Sequence, residues 1–351
     1  MTSPKILLRN GALRLASALS PRGDDPLPDF AALKRVLLVY VNWRLGNNLL
    51  VTPAVGAFTE AFPAVHFDFL GGPFAPPVLD GYRLGRVTEI GRRHVFSPPH
   101  LVSLVRRLRR EAYDAVVHLH SSTGTIGAFF TGMSKAPVRI GCRRPGGNVY
   151  FTSTVAMPTA LHKVDRMNEY LASLGVPSRR EREMRIRPEE AASAEALLSE
   201  RTAAPRASRV AIFLSGRQRK SKAWDLDFYA EVLRALRARN VTPVVVLGPE
   251  ERGREEEVGR ALGDAVYVSR LPIRAVAAIV QRCGAAVSPD SGPMHLAVAV
   301  GTPTVALFRA RDFDQWGPRE PLGRVVFDPA GRDVEGTLAA LDAVRLGRRS
   351  S

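Results

Sequence analysis

The sequence predicts an α/β protein made of two Rossmann-like domains that face each other across a cleft. Three observations support this prediction. The chain has 351 residues, which suits two domains of about 150 to 170 residues better than one core. Short apolar strands alternate with helices, and the alternation starts again after a polar stretch at 176–208. A strand at 285–288 also leads through a short loop into a helix, in the manner of a phosphate-binding loop.

Composition and charge narrow the classes of function. Hydrophobic residues make up 45% of the chain and charged residues 24%, which is typical of a globular protein and excludes disorder as the main state. The net charge of +16 suits an anionic partner, such as a phosphorylated substrate or a membrane surface. The sequence carries no zinc-finger, recognition-helix or aromatic RNA-binding pattern, so we expect no nucleic-acid partner. Cys142 and Cys283 show no metal-ligand spacing, which indicates a reducing compartment and no metal site.

The N-terminal residues 1–33 are expected to form a basic extension outside the main fold, with an amphipathic helix near 4–19. A partly ordered tail and an anchor on an anionic membrane are the two alternatives. No run of about 18 apolar residues is present to form a membrane-spanning helix. We therefore expect a cytoplasmic protein and leave open a peripheral contact with the inner face of the cytoplasmic membrane.

The first domain is predicted over 34–180. Its first strand is the apolar, β-branched run at 35–41, followed by a loop at 42–48 that contains Gly46 and by a helix that ends near Phe62. Further strands are predicted at 66–70, 115–119 and 138–141, with helices at 99–111 and 161–175. This order argues for a parallel sheet with helices on both faces.

The second domain is predicted over 205–345, after a connection that holds one acidic helix at 188–202. Its strands are predicted at 209–214, 242–247, 265–268, 285–288 and 304–307. Its helices are predicted at 226–239, 251–262, 273–282 and from the loop at 289–293 to Val300. Ligands of such sheets bind beyond the carboxyl ends of the strands.

The segment from Val287 to Leu296 combines the features of an anion-binding helix start. Asp290 or Ser291 can cap the helix, Gly292 permits close approach of the backbone, and Pro293 suits the first helical turn. N–H groups at this helix start would point at an anion. An ordinary capped helix fits the same spacing equally well.

Five segments resemble glycosyltransferase family 9, the ADP-heptose:lipopolysaccharide heptosyltransferase family. SPDSGPMHLAVAVGTPTVALF at 288–308 is the long and specific one. VLLVYVNWRLGNNLLVTPAVGAF, HKVDRMNEYLASLG, SGRQRKSKAWDLDFYAEVL and VVVLGPEE occur in the family's order, so the resemblance covers about 35–320. It implies an inverting glycosyltransferase of the B-type architecture, with the acceptor on the first domain and the nucleotide-sugar donor on the second. It implies no bound cofactor.

The resemblance also implies the donor-binding residues. The diphosphate would lie along the start of the helix after the fourth strand, Lys222 would reach the phosphates as a point charge, and Asp290 would contact the sugar or hold the loop. Packing is the expected role of Trp224. The donor-binding set is Ser215, Gly216, Lys222, Asp290, Ser291, Gly292, Pro293, Met294 and His295.

An inverting transfer needs a base for the acceptor hydroxyl, and the family places an Asp directly after the glycine of the first loop. Here Asn47 follows Gly46, and an amide cannot accept the proton. Three interpretations remain open. Asn47 orients the acceptor while another group acts as base, or the enzyme transfers a different sugar by a shifted arrangement, or the protein binds without turnover.

Substitute bases are few. His118 and His120 end a strand of the first domain, and His120 lies nearer its carboxyl end, which makes it the candidate, although a buried structural histidine explains either position. His162 and Asp165 fit a site role, a capping role or an inter-domain role. Asp68, inside a strand, is expected to support a loop.

The leading hypothesis is a heptosyltransferase-like enzyme that transfers a sugar, with ADP-heptose as the implied donor, to lipopolysaccharide or another lipid-linked or phosphorylated glycan. The alternative from a different class is a non-catalytic nucleotide-sugar binding protein that has lost the family's catalytic Asp. An NAD-dependent dehydrogenase is disfavoured, because the first loop has Gly46 but no Gly-x-Gly-x-x-Gly pattern.

Overall fold

The computed structural model describes residues 23–91, 97–120, 125–143, 150–176, 178, 180–214 and 224–346. The chain divides into two compact units. The first unit comprises Met1–Arg44, Leu50–Ala160 and Val164–Arg180, and the second comprises Leu45–Leu49, Leu161–Lys163 and Glu181–Ser351. The helix expected near 4–19 lies outside the described residues.

The first unit is built on a six-stranded sheet whose neighbouring strands are all parallel. Its strands are β1 (Arg35–Tyr40), β2 (His66–Gly71), β3 (Val87–Glu89), β4 (Ala115–His118), β5 (Val138–Cys142) and β6 (Ser153–Val155), and they lie in the order β3-β2-β1-β4-β5-β6. The strand order reverses direction between β1 and β4, as in Rossmann-like sheets.

The helices that follow β1 in the chain are α1 (Leu45–Leu49), which clusters with the second unit, and α2 (Thr52–Ala61). The first unit continues with α3 (Ala75–Leu79), α4 (Pro98–Arg110), α5 (Thr125–Met133) and α6 (Lys163–Ser173), whose first residue clusters with the second unit. In α4, Leu104 and Leu108 are buried and the arginines are exposed, so the helix packs along one apolar stripe.

The second unit repeats this plan. Its strands are β7 (Arg209–Phe213), β8 (Thr242–Leu247), β9 (Val266–Ser269), β10 (Ala285–Pro289), β11 (Thr304–Phe308) and β12 (Gly323–Phe327). They are paired in parallel in the order β12-β11-β10-β7-β8-β9, with the reversal between β7 and β10. The two parallel sheets confirm the predicted α/β fold class.

The helices of the second unit flank this sheet and the segment that leads into it. They are α7 (Pro188–Ser199), α8 (Leu226–Ala238), α9 (Glu255–Leu262), α10 (Ile273–Gln281), α11 (Gly292–Ala299), α12 (Phe313–Trp316) and α13 (Val334–Leu346). Short 3₁₀ turns lie at Phe30–Ala32, Arg206–Ser208 and Pro249–Glu251. Among the described residues, no helix has the length and apolar composition needed to cross a membrane.

The described part of the N-terminal extension, residues 23–33, packs on the first unit. Asp24 bridges to Ser153 of β6, and the Asp25 N–H donates to the Thr152 carbonyl at 3.0 Å. Phe30 is 4% exposed, and its ring centroid lies 5.2 Å from that of Phe58. The expectation of an extension outside the main fold is therefore wrong for these residues, because Phe30 supplies apolar surface to the core.

The stretch 42–48, expected to be a loop, contains most of α1. Gly46, Asn47 and Asn48 have weak helix propensity, yet Leu45, Gly46, Asn48 and Leu49 are buried. Packing rather than propensity therefore forms this turn of helix. The strands β3, β6 and β12 were not predicted; β3 and β6 have three residues each, and all three lie at sheet edges.

Two buried side chains show the expected packing roles. Cys283 is 0% exposed and its thiol donates to the Ile279 carbonyl; burial raises its pKa to about 12, so it is an inert core residue. Trp224 lies in the core of the second unit, 4.5 Å from the Phe228 ring. The predictions of core packing for Cys283 and Trp224 are confirmed.

Asp68 forms the main buried charge network of the first unit's described residues. Its side chain is 2% exposed. One carboxylate oxygen accepts from Arg35 Nη2 at 2.8 Å and from the Tyr113 hydroxyl at 2.9 Å. The other accepts from the Arg86 N–H at 2.7 Å and from His66 Nε2 at 3.1 Å. These bonds tie β1 and β2 to the loops around them, so Asp68 has the structural role expected for it.

Burial works to raise the pKa of the Asp68 carboxyl, but hydrogen bonds from Tyr113, the Arg86 N–H and Arg35 outweigh it and hold the pKa below its usual value. A carboxyl with a lowered folded-state pKa contributes stability above its unfolded pKa of about 3.9. That contribution is lost as the pH falls through the lower pKa of the folded state.

We expect Asp68→Asn to lower the free energy of unfolding at pH 7 by about 3 kcal/mol, because a neutral amide cannot accept from four donors around it. Urea unfolding followed by fluorescence measures the change. Glu89→Gln, at an exposed position of the edge strand β3, is the matched control and should leave the midpoint unchanged. Equal midpoints for the two variants at pH 7 would contradict a stabilising role for Asp68.

Candidate functional site

The predicted phosphate-binding segment is a strand, a short turn and a helix in the second unit. β10 is buried along its whole length, Asp290 and Ser291 form the turn, and α11 begins at Gly292. β10 lies between β7 and β11, where the strand order reverses. Ligands of such sheets bind beyond the carboxyl ends of the strands at this reversal. The topology therefore puts the start of α11 where a ligand is expected.

Ser291 occupies the N-cap position of α11 with an extended backbone, at φ −155° and ψ 174°, but its side chain does not cap the helix. Its hydroxyl instead donates to the Pro289 carbonyl at 3.1 Å and lies 3.4 Å from the Ser288 hydroxyl. The first N–H groups of a helix have no carbonyl partner inside the helix. With the positive end of the helix dipole, they suit an anion such as a phosphate.

Exposure differs along the predicted donor loop. Asp290, Ser291, Gly292 and Pro293 are partly exposed, whereas Met294 is fully buried. The Met294 side chain packs in a small cluster with Ala306 and Phe308, so its backbone rather than its thioether is the part available at the helix start.

His295 is buried at 6% exposure and pairs with an arginine that the sequence analysis did not identify. Arg182 Nη1 donates to His295 Nδ1, and Arg182 Nη2 lies 3.5 Å from the Gly317 carbonyl. His162 Nε2 donates to the same carbonyl at 3.0 Å. Burial away from water lowers the pKa of Arg182 to about 10; the nearby Glu181 carboxylate opposes this change and Arg319 adds to it. The guanidinium therefore stays charged at neutral pH. We call Arg182, His295, His162 and the Gly317 carbonyl the Arg182–His295 cluster.

Trp316 and Lys163 complete the surroundings of this cluster. The Trp316 ring meets the His295 ring edge-on, with 6.3 Å between the centroids. Lys163 Nζ lies 5.1 Å from the centroid of the Trp316 ring, which is a cation–π distance. The first turn of α11 thus has a cationic side chain, Arg182, in contact with His295, and a second, Lys163, lies on the Trp316 ring that meets His295; this arrangement favours a negatively charged ligand.

α1 packs directly on the first turn of α11 within the second unit. A Cβ placed on Gly46 would lie 2.5 Å from His295 Cδ2, and one placed on Gly292 would lie 3.2 Å from Leu45 Cβ. A side chain at Gly46 would therefore require the His295 ring to shift, and one at Gly292 would be tight against Leu45. Asn47, the next residue after Gly46, is half-buried in the same turn of helix. The structure thus brings Asn47 close to the predicted donor loop.

His118 and His120 lie in the first unit, at and just beyond the end of β4. Their ring centroids are 5.1 Å apart, and the His120 ring stacks on Tyr40 at 4.1 Å. His120 Nε2 lies 3.4 Å from the Val41 carbonyl, and the His118 carbonyl accepts from Tyr170. Both rings are buried, so packing fixes their orientation at the reversal point between β1 and β4.

The remaining predicted residues separate into two groups. Asp165 lies in the first turn of α6, where an acidic side chain favours the helix dipole. Ser215, Gly216 and Lys222 lie outside the described residues. In the part of the chain that the structure describes, no group of His, Cys, Asp and Glu side chains is placed to hold a metal ion.

Arg182 was missed because its segment gives no signal for a site. It lies among exposed and partly exposed Arg and Glu residues between 180 and 190, and that composition is typical of a solvated connection. Its burial depends on α11 and on the turn at Gly317, which are more than a hundred residues away in the chain.

The model of glycosyltransferase family 9 (heptosyltransferase) matches residues 101–332. The chain is similar to the lipopolysaccharide core heptosyltransferase OpsX of Haemophilus influenzae, with 22% identity over 238 residues. The match covers 64% of this chain and 65% of OpsX, a little under two thirds of that relative.

Solved structures show the same fold. The family 9 glycosyl transferase of Veillonella parvula superimposes with a TM-score of 0.80 at 20% identity, covering 92% of this chain and 99% of that one. The Escherichia coli heptosyltransferase WaaC, solved with ADP-2-deoxy-2-fluoro heptose, gives a TM-score of 0.65 at 20% identity, covering 90% of this chain and 99% of that one.

We expect Gly46→Ala to destabilise the second unit by about 1 to 3 kcal/mol, because the new methyl group overlaps the His295 ring. Thermal unfolding measures the change. Gly259→Ala is the matched control, since a Cβ at this helical position of α9 meets nothing within 4 Å, and it should raise stability by up to about 1 kcal/mol. A Gly46→Ala protein as stable as the control would contradict the close packing of α1 on α11.

Proposed function

The chain belongs to glycosyltransferase family 9, and on that premise we propose that it is an inverting, heptosyltransferase-like glycosyltransferase. It transfers a sugar from a nucleotide-sugar donor to lipopolysaccharide or another surface-glycan acceptor. The observation that carries the proposal is the start of α11: a helix without a side-chain cap, at the strand-order reversal, next to a charged Arg182. Such a site suits the diphosphate of a nucleotide sugar.

The proposed donor is an ADP-activated heptose. Support comes from the family assignment and from WaaC, the related protein solved with an ADP-heptose analogue. In the proposal, backbone N–H groups at Gly292 and beyond bind the diphosphate, and Asp290 contacts the sugar or holds the loop. Ser215, Gly216 and Lys222 are proposed as further donor contacts from their resemblance to the family pattern.

In the reaction, the acceptor hydroxyl attacks the anomeric carbon and the bond from that carbon to the phosphate oxygen breaks. The nucleoside diphosphate leaves with the bonding electron pair, and the helix N–H groups with Lys222 stabilise its negative charge. The acceptor proton passes to a base. Asn47 cannot take this proton, so we assign it the orientation of the acceptor and propose His120 as the base.

The proposal for His120 rests on its place and its packing. It follows β4 at the reversal of the first sheet, the position where such sheets bind ligands. Stacking on Tyr40 and His118 holds the ring in one orientation. A neutral imidazole is a suitable acceptor for a hydroxyl proton near neutral pH.

A second candidate function is non-catalytic binding of a nucleotide sugar, and two observations favour it. Position 47 carries an amide in place of the acid of the family pattern, and His120 is 8% exposed. In this case the α11 site binds donor and no sugar is transferred.

A transfer assay with a panel of nucleotide sugars and lipopolysaccharide acceptors, read as release of nucleoside diphosphate, tests the enzyme proposal. We expect turnover that falls about 100-fold or more in His120→Gln, because the base is removed. His100→Gln, at an exposed position of α4, is the matched control and should retain full activity. Donor binding without turnover by the unmodified protein would overturn the enzyme proposal and support the binding function.

Asn47→Asp separates the two functions. If the site is a binding site that has lost its acid, restoring the carboxylate should create transfer where none existed. If the enzyme works with Asn47, the added negative charge should lower its existing turnover, because it disturbs acceptor orientation next to a diphosphate. The same release assay measures both results, with Asn47→Ala as the reference for loss of the amide.

We also propose that the exposed arginines of α4 contact an anionic membrane while the lipid-linked acceptor is used. Arg106, Arg107 and Arg110 lie on the solvent side of the helix, whereas Arg109 donates to the Met133 carbonyl at 2.9 Å. Val102 on the same side is 45% exposed. A basic face with an exposed apolar residue suits an anionic lipid surface.

The double variant Arg106→Glu, Arg107→Glu should bind vesicles containing phosphatidylglycerol about 30-fold more weakly, since each basic residue at such a surface is worth about 1 kcal/mol. Co-sedimentation with vesicles measures binding, with phosphatidylcholine vesicles as the neutral comparison. The double variant Arg252→Glu, Arg260→Glu changes the net charge equally on exposed positions of the second unit. Equal loss in both double variants would show an effect of net charge and contradict a role for α4.

A further inference from the structure

Arg182 is a buried arginine that adds positive charge beside the start of α11 and has no assigned part in the steps of the proposed reaction. Its side chain is 1% exposed, although arginine is almost never fully buried without a partner. The acid nearest to it, Glu181, lies 3.9 Å from Nε, is 33% exposed and also pairs with Arg319. One carboxylate is therefore shared by two guanidinium groups, and the cluster keeps an excess positive charge beside the start of α11.

The contact with His295 fixes the protonation of the imidazole. A guanidinium has N–H donors and no acceptor. Arg182 Nη1 donates to His295 Nδ1, so Nδ1 carries a lone pair and the ring proton lies on Nε2. Doubly protonated His295 would place an N–H against this guanidinium, which both geometry and charge oppose.

The orientation of the ring is fixed as well. Trp316 meets one side of the His295 ring edge-on, and Gly46 lies so close that a Cβ there would be 3.3 Å from Nε2. Arg182 and His162 both converge on the Gly317 carbonyl, which anchors the turn after Trp316. The ring cannot rotate without breaking the contact with Arg182 or overlapping α1.

We propose that Arg182 is a positioning residue that locks His295 as a neutral, Nε2-protonated hydrogen-bond donor in the first turn of α11. In this state the imidazole offers an N–H to an anionic ligand, and its orientation does not change with pH near neutrality. The identity of the ligand, the diphosphate of a nucleotide, rests on the proposed function above; the lock on His295 does not.

The charged and titratable groups around this pair come from several elements. Glu181 and Arg319 face Arg182, His162 shares its carbonyl acceptor, and Lys163 lies over the Trp316 ring. Of these, Arg182 is the group in direct hydrogen-bond contact with His295 Nδ1. Removing Arg182 should therefore release the Nδ1 lone pair and allow it to be protonated as the pH falls.

Long-range ¹H–¹⁵N spectra of protein labelled at histidine test the lock without any assay of activity. His295→Gln assigns the resonances of His295. We expect the unmodified protein to show an unprotonated Nδ1 and a protonated Nε2 from pH 6 to pH 8. Arg182→Met should show protonation of His295 within this range, and Arg182→Lys should restore the original pattern in part, because an ammonium also only donates.

Arg319→Met is the matched control, since it removes a neighbouring charge that pairs with Glu181 rather than with His295. It should leave the tautomer of His295 unchanged. A protonated Nδ1 in the unmodified protein would overturn the proposal. An Arg182→Met spectrum identical to that of the unmodified protein would also overturn it. If Arg182→Met does not fold, the spectra of the unmodified protein, Arg182→Lys and Arg319→Met still show whether Arg182 holds His295 in the Nε2-protonated form.

Calorimetric titration with ADP tests the consequence for binding. We expect Arg182→Met to bind ADP about tenfold more weakly at pH 8 and to recover affinity below pH 6, where a protonated His295 supplies a charge of its own. Arg319→Met should lose affinity equally at both pH values. If the unmodified protein binds no nucleotide, the proposed function fails while the spectra still decide the lock on His295. A loss in Arg182→Met that is the same at both pH values would contradict the proposed consequence.

Discussion

The first turn of α11 depends on one constraint: the N–H groups that begin a helix have no partner within it. In many helices a Ser, Thr, Asp or Asn side chain at the N-cap supplies one of the missing acceptors. Here the Ser291 hydroxyl is turned back to the Pro289 carbonyl, and the side chain that contacts His295 in the first turn is Arg182, which can only donate. Three features meet at this helix end: the strand-order reversal beside β10, the packing of α1 on the helix, and the buried Arg182 in contact with His295.

Much of the fold could be predicted from the sequence, because the central strands of parallel sheets are buried on both faces and read as short apolar runs. β1, β8 and β10 illustrate this. The edge strands gave no such signal. β3 contains Val87, Thr88 and Glu89, none of them buried, and a partly exposed edge does not need apolar residues. Tertiary packing, rather than local preference, forms α1 from Gly46 and two asparagines.

In the candidate site, too, some features could be predicted from the sequence and others depend on tertiary packing. The loop at 290–293 was predictable, since its residue types report the local geometry of a strand that turns into a helix. Arg182 was not, because an arginine in an Arg- and Glu-rich segment has the same local pattern whether it is buried or exposed. His120 was named for its place at a strand end, and the structure adds its stacking on the rings of Tyr40 and His118, which holds it in one orientation.

The membership of Leu45–Leu49 in the second unit has a consequence for inheritance. This segment follows the first strand of the first sheet in the chain, yet its packing partners are Gly292 and His295. A recombination event that exchanged the gene at the 180/181 boundary would separate Gly46 from the helix it covers. Substitutions in Leu45–Leu49 and substitutions at the start of α11 therefore constrain one another. We expect the two parts of the gene, before and after residue 180, to be inherited together rather than exchanged as modules.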